Sequence, residues 1–335
     1  MTDKGHDISD MFSRVRARMP EKHRHAGETL DRVNAVWVDN ARDKALRGVF
    51  DRFLTYVTAA QRNGRYGKGN ALFVTGESGA GKSDIVENLL LNHEALAPME
   101  INDNLVTPWV SLSLPRAAPL RVLGTSILKA IDYGVKDTMS ESTAWELLPD
   151  QIKKAKVFLI HIDETQHLLN NASDAEKVAG AIKGLMNYRP WPVSFILSGM
   201  PETNNLIVHD NQAERRNFSF ALPAVDPENH RHVIVDIIEK LCAAGGFTCA
   251  ALTQTDMPER ISHAASDQFG RICEVTIRGI QIADLAGDTE LKREHFAKAY
   301  RDSSHTRGHD DLNPFYVENW KELEKGYFVT QVDEE

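Results

Sequence analysis

A chain of 335 residues, 42% apolar and 26% charged, has the makeup of a soluble globular protein with room for one large domain or two modest ones. A net charge of −9 excludes a surface built throughout to hold nucleic acid, although the basic stretch SRVRARMPEKHRHAG (residues 13–27) keeps a local patch open. No run of about 18 apolar residues and no charged start leading into an apolar segment occurs, so a cytoplasmic protein with no membrane partner is expected.

In chain order, residues 1–30 read as a mobile basic leader. Residues 28–60 carry apolar residues at helical spacing, with Trp37 near the middle as a core residue or an adenine-side contact. After the polar connector QRNGRYGKGN comes a buried strand, ALFVTG, then glycine-rich sequence and a helix, KSDIVENLLLNHEAL. TPWVSLSL is a second strand and LRVLGTSILKAIDYG a helix; KVFLIHID is a third strand. SDAEKVAGAIKGLMNY is a helix with Ser173 or Asp174 as its cap, followed by strands WPVSFILSG and NFSFALPAV. Strands alternating with helices predict an α/β fold with a mostly parallel five-stranded sheet covered on both faces. Past Pro227 only helical patterns remain, to about Tyr300. The expected domains are a leader and helical segment (1–66), an α/β core (67–226), a helical domain (227–300) and a C-terminal tail (301–335). Cys242, Cys249 and Cys273 form no CxxC pair and read as buried thiols.

GESGAGKS, from Gly76 through Glu77, Ser78, Gly79, Ala80, Gly81 and Lys82 to Ser83, fits the phosphate-loop pattern, with a strand before it and a helix after it. Glycines let backbone amides turn onto phosphate oxygens, and the helix N-terminus adds partial positive charge. Lys82 is expected to reach the β and γ phosphates of ATP, and Ser83 to ligate Mg²⁺. Two adjacent acids, Asp163 and Glu164, close an apolar strand about 80 residues later. A metal explains why they share the spot: Asp163 holds Mg²⁺, and Glu164 orients or deprotonates the water that attacks the γ phosphate. A helix-start pair of acids is the plainer alternative. A metal site made of His161, Asp163 and His167 is the weaker reading against plain packing.

Ser198 ends the fourth strand, where ligands gather in open α/β sheets. It reads either as a contact to the γ phosphate or attacking water, or as a solvent-facing turn serine. Arg215 and Arg216 precede the fifth strand; they are solvated charges or arginines supplied to a neighbouring subunit's nucleotide.

Together, ALFVTGESGAGKS, FLIHIDETQHLL, WPVSFILSGMPE, QAERRNFSFALP and HAASDQFGRICEV resemble an AAA+ ATPase, and more narrowly the TniB/TnsC family of transposition regulators, over about residues 28 to 300. The resemblance implies that Lys82 and Ser83 are Walker A residues and that Asp163 and Glu164 are the Walker B pair. It places Ser198 at the sensor-one position, where many members have asparagine. Arg216 matches the arginine finger, with Arg215 beside it, and Arg271 falls near the sensor-two arginine of the lid. It further implies a Mg²⁺-dependent ATPase that assembles as rings or filaments on double-stranded DNA, meets a target-selector protein and a DDE transposase, and disassembles on hydrolysis. DNA would be held through its phosphates, with Arg116, Arg121, Lys153 and Lys154 as candidate contacts. NPFYVENW in the tail is a transposase-docking peptide or packs back on its own lid. Alternative readings are a replication-initiator or helicase-loader ATPase, and a nucleotide-gated DNA scaffold with little turnover.

Overall fold

The computed structural model describes residues 4–60, 67–168, 172–204, 217–303 and 310–326. The chain divides into two compact units, residues 41–223 and residues 1–40 with 224–335, where the sequence set its boundaries at 66 and 226. Helices α1 (Lys4–Ala17) and α2 (Glu21–Asn34) open the chain and belong to the second unit.

The first unit starts with α3 (Ala41–Thr58) and β1 (Ala71–Gly76), followed by α4 (Lys82–Asn92). The helical spacing over 28–60 is therefore shared by two helices, α2 and α3, which fall in different units. A hairpin follows, β2 (Met99–Ile101) and β3 (Asn104–Val106), with both turn residues, Asn102 and Asp103, in the left-handed region. That conformation is the one a two-residue hairpin turn demands, and Asn and Asp tolerate it. Next come β4 (Trp109–Ser113), α5 (Leu120–Ala130), α6 (Glu141–Ala155), β5 (Leu159–Asp163), α7 (Ala172–Met186), β6 (Ser194–Gly199) and β7 (Asn217–Leu222). Because α7 begins at Ala172, Ser173 and Asp174 lie in its first turn rather than capping it.

Five strands form one sheet in the order β4-β5-β6-β1-β7, every neighbouring pair parallel. Side chains alternate across a strand, so the central strands β1, β5 and β6 each feed two cores. Ala71, Phe73, Ile160, Ile162, Phe195 and Leu197 pack with α5, α6 and α7. Leu72, Val74, Leu159 and Ile196 pack on the opposite face with α3 and α4. Burial on both faces is why these strands read as unbroken apolar runs. The expected α/β class holds: a parallel five-stranded sheet flanked by helices, with a helical additional unit.

That second unit gathers α1 and α2 with α8 (Arg231–Gly245), α9 (Ala250–Thr253), α10 (Met257–Ala264), α11 (Phe269–Ala286) and α12 (Arg293–Ser303). The leader is helical from Lys4, and α2 buries Ala26, Thr29 and Val33. Residues 310–326 are no free tail. Phe315 is fully buried against Phe296 and Tyr300, and Asn313 donates to the Ala297 carbonyl at 2.9 Å. Arg260, 1% exposed, donates to the Pro314 and Val317 carbonyls at 2.5 and 2.6 Å and lies 5.3 Å from the Trp320 ring. NPFYVENW thus packs back on its own unit, with Tyr316 left exposed. Trp37 is exposed rather than a core residue. Among the described residues no helix is long and apolar enough to cross a membrane.

Candidate active site

The site lies at the carboxyl ends of β1, β5 and β6, built by the loop that carries β1 into α4. Gly79 and Gly81 take φ of 82° and 84°, which side chains resist and glycine does not. Gly81 is the residue before the first turn of α4. Ala80 is fully buried, and its carbonyl accepts from Arg42 of α3 at 3.1 Å, a brace the sequence did not disclose. Lys82 Nζ donates to the carbonyls of Gly76 at 3.0 Å and Glu77 at 2.9 Å. Burial pulls the Lys82 pKa below the ordinary lysine value, opposed by the negative charge of Glu164, Asp163 and Glu77.

Asp163 is the hub. Ser83 donates to its Oδ2 at 2.5 Å, so the 80 residues between phosphate loop and β5 are closed by one hydrogen bond. Ser198 donates to its Oδ1, also at 2.5 Å. Ser198 is fully buried, which overturns the solvent-facing reading. His161 joins this group, with Nε2 at 2.7 Å from Ser198 Oγ and Nδ1 at 2.8 Å from Ser111 Oγ. Both His161 nitrogens are therefore engaged, which removes it as a metal ligand beside Asp163 and His167. Burial pushes its pKa down to about 4, against the opposing pull of Asp163.

Glu164 follows with φ of 56°, a left-handed residue at the end of the strand. The Gln166 amide donates to Glu164 Oε2 and accepts from the Met200 N–H at 3.1 Å, tying Glu164 to the end of β6. Gly199 makes that tie possible: a Cβ there would stand 2.4 Å from Thr203 Oγ1 and 2.5 Å from Gln166 Oε1. Thr165, fully buried, donates to the Ile162 and Ser198 carbonyls and locks the two strand ends together. His167 pairs with the Leu114 carbonyl at 3.1 Å, and its Nε2 is 4.0 Å from Glu164. Gln166, Thr165 and Arg42 were assigned no role from the sequence, although Thr165 and Gln166 lie in FLIHIDETQHLL directly after Glu164.

Lys82, Ser83, Asp163, Glu164 and Ser198 thus converge on one place. Arg215 and Arg216 lie outside the described residues. Arg271 is on α11 in the helical unit and donates to Ser266 Oγ at 3.3 Å. Arg116, Lys153 and Lys154 are exposed, the two lysines in the last turn of α6, where cations sit well against the helix dipole. Arg121 is also exposed, with its guanidinium held by the carbonyls of Met139 at 2.7 Å and Asp137 at 2.5 Å.

The residues present fit a nucleotide triphosphate with Mg²⁺. Lys82 has three donors, and both its present partners are main-chain carbonyls of the loop itself. Ser83 and Asp163 bring a hydroxyl and a carboxylate together, the hard oxygen donors that Mg²⁺ takes alongside phosphate oxygens.

The sequence matches the family described as Bacterial TniB protein over residues 37–227. No curated protein is significantly similar to it. Among solved structures, Cdc6p from Pyrobaculum aerophilum is similar with a TM-score of 0.56 at 12% identity, over 81% of this chain and 70% of that one. Aeropyrum pernix ORC1, solved in complex with DNA, gives a TM-score of 0.52 at 15% identity, over 84% and 71%. Aeropyrum pernix ORC2, solved as ADPNP and ADP complexes, gives 0.52 at 16% identity over 77% of this chain, which spans only 65% of the ORC2 length. At these identities the likeness is one of fold.

Proposed function

The chain belongs to the TniB family, and from that premise we propose that it is an ATP-dependent regulator of DNA transposition. In this reading it assembles on double-stranded DNA, links a target-selector protein to a DDE transposase, and disassembles when ATP is hydrolysed. The observation that carries the nucleotide chemistry is the 2.5 Å contact between Ser83 and Asp163 beneath a loop that also holds Lys82. The family match over residues 37–227 favours transposition over the initiator and helicase-loader readings.

Lys82 exchanges its carbonyl partners for the β and γ phosphates, and the buried ammonium meets their charge in a poorly solvated place. Mg²⁺, when bound, neutralises charge developing on the transferred phosphoryl group. Ser83 and Asp163 are the residues that would hold it. Glu164 takes a proton from the attacking water, and the Gln166 amide on its Oε2 keeps the carboxylate within reach. Arg216, with Arg215 beside it, is assigned to a neighbouring subunit's nucleotide, which makes hydrolysis depend on assembly. Arg271 keeps the sensor-two role that the family resemblance implies. Exposed Arg116, Lys153 and Lys154 are the better candidates for DNA phosphates, while Arg121 would first have to give up its carbonyls.

The decisive experiment is negative-stain microscopy of the protein with random-sequence duplex DNA under ATP, a non-hydrolysable analogue and ADP. Rings or filaments that require ATP or the analogue are expected. Dispersed particles in every condition, despite nucleotide binding, would sink the assembly mechanism. Phosphate release with and without DNA separates a working ATPase from a scaffold with little turnover. Mixing Arg216→Ala with Lys82→Ala protein is expected to restore part of the activity through mixed interfaces; no rescue at any ratio would remove Arg216 from its role across the interface.

A further inference from the structure

His161 stands where a core residue belongs. On its face of the sheet, Leu159 precedes it and Ile196 is its partner on β6, both fully buried and apolar. An imidazole 2% exposed at such a place costs free energy unless its nitrogens are paired, and both are. The strand register makes the pairing. Ser111 is the direct partner of His161 on β4, Asp163 lies two residues farther along β5, and Ser198 lies two beyond Ile196 on β6. Backbone pairing therefore brings all four side chains to one face.

Counting protons fixes the direction of the chain. Ser198 has a single hydroxyl proton and gives it to Asp163 Oδ1, so its oxygen accepts from His161 and Nε2 carries a proton. With its proton on Nε2, the neutral ring accepts at Nδ1 from the Ser111 hydroxyl. The bonds then run one way, from Ser111 to His161 to Ser198 to Asp163, and Ser83 takes the other carboxylate oxygen.

We propose that His161 is a positioning residue for the metal-holding carboxylate: its Nε2–H holds Ser198 so that the serine proton stays on Asp163 and fixes the plane of that carboxylate. The purpose, though not the geometry, rests on the nucleotide reading above. One consequence revises the expected role of Ser198. Its only proton is committed to Asp163, so it acts through Asp163 and does not donate to the γ phosphate in this arrangement. Partners that orient a metal-holding group in this way typically change metal affinity about 10–100-fold when removed.

Two measurements test this. Nitrogen-15 histidine NMR of the wild-type protein, with the His161 signals identified by their loss in His161→Gln, is expected to show the Nε2–H tautomer; an Nδ1–H pattern would overturn the relay. Titration with a fluorescent ATP analogue is then compared in Mg²⁺ and in EDTA. His161→Phe is expected to match wild type within about twofold in EDTA and to bind about 10–100-fold more weakly in Mg²⁺. His161→Gln, which keeps an N–H near the Nε2 position, recovers most of the loss. Ser198→Ala reproduces the His161→Phe loss, and the double variant adds little to either. Equal losses in EDTA and Mg²⁺, or no recovery in His161→Gln, would reduce His161 to packing. If His161→Phe does not fold, Ser198→Ala and the NMR pattern decide in its place. A wild-type protein that binds no analogue is a different failure: it would sink the nucleotide reading while the NMR pattern still reported the relay.

Discussion

On one face of β5, Ile160 and Ile162 are fully buried against α5, α6 and α7, and nothing there departs from an apolar core. On the other, Leu159 gives way to His161 and Asp163, and each polar atom finds a partner on β4, β6 or α4. Backbone, burial and strand order are the same for both faces. The difference is that one face ends under the phosphate loop, where a column of paired polar groups replaces side chains that would stabilise the fold more simply. Chemistry is carried where the alternation keeps its period but changes its residues.

Substitutions on the two faces should therefore fail differently. The largest effect is expected from Lys82→Ala, which should abolish nucleotide binding and nucleotide-dependent assembly on DNA; fluorescent-nucleotide titration and microscopy check it. Glu164→Gln should bind ATP and slow phosphate release by about 10²–10⁴-fold, the usual worth of a positioned general base. Normal turnover in that variant would take Glu164 out of the water-activating role. Across the sheet, Ile162→Ala should cost about 2–5 kcal/mol in denaturant midpoint analysis while the remaining folded protein binds nucleotide normally. Weakened binding without lost stability would break the comparison.

A pH experiment sharpens the same contrast. Folded His161 titrates at about 4 against an ordinary 6.5, so between those values the unfolded chain holds a proton that the folded chain does not. Its contribution is complete above about pH 6.5 and is lost as pH falls through that window to about 4, in total on the order of 3 kcal/mol. Urea midpoints at neutral and mildly acid pH should show this slope in wild type and a flatter one in His161→Gln.

Much of the first unit was legible in the sequence because its signals are local. Glycines at fixed spacing, apolar runs of strand length and acids at a strand end each lie within a dozen residues. The link of Ser198 to Asp163 was not legible, since it depends on β6 lying beside β5. His161 looked like packing, because a histidine inside an apolar run gives no sign of which cross-strand hydroxyls it meets. The β2–β3 hairpin escaped because strands of three residues carry no alternation to read, although Asn102-Asp103 is a turn pair. α6 went unread as well, despite Ser140, whose hydroxyl accepts from the Thr143 N–H at 3.1 Å as a cap. α2 was hidden by its charge: EKHRHAGETLDRVN buries only Ala26, Thr29 and Val33.

The contact of Arg260 with residues 314 and 317 makes the helical unit depend on chain that follows its last helix. Proteolytic trimming above Asp310 would strip two carbonyls and the Trp320 ring from a guanidinium that is 1% exposed. Asp256 alone would then have to satisfy it at 2.8 Å. The same cut removes Phe315 from its buried place against Phe296 and Tyr300, and losing a buried phenylalanine side chain costs about 3–5 kcal/mol, a large share of what holds a unit of this size together. Residues 310–326 thus work as a clasp, and where a protease cuts decides whether the unit survives the cut.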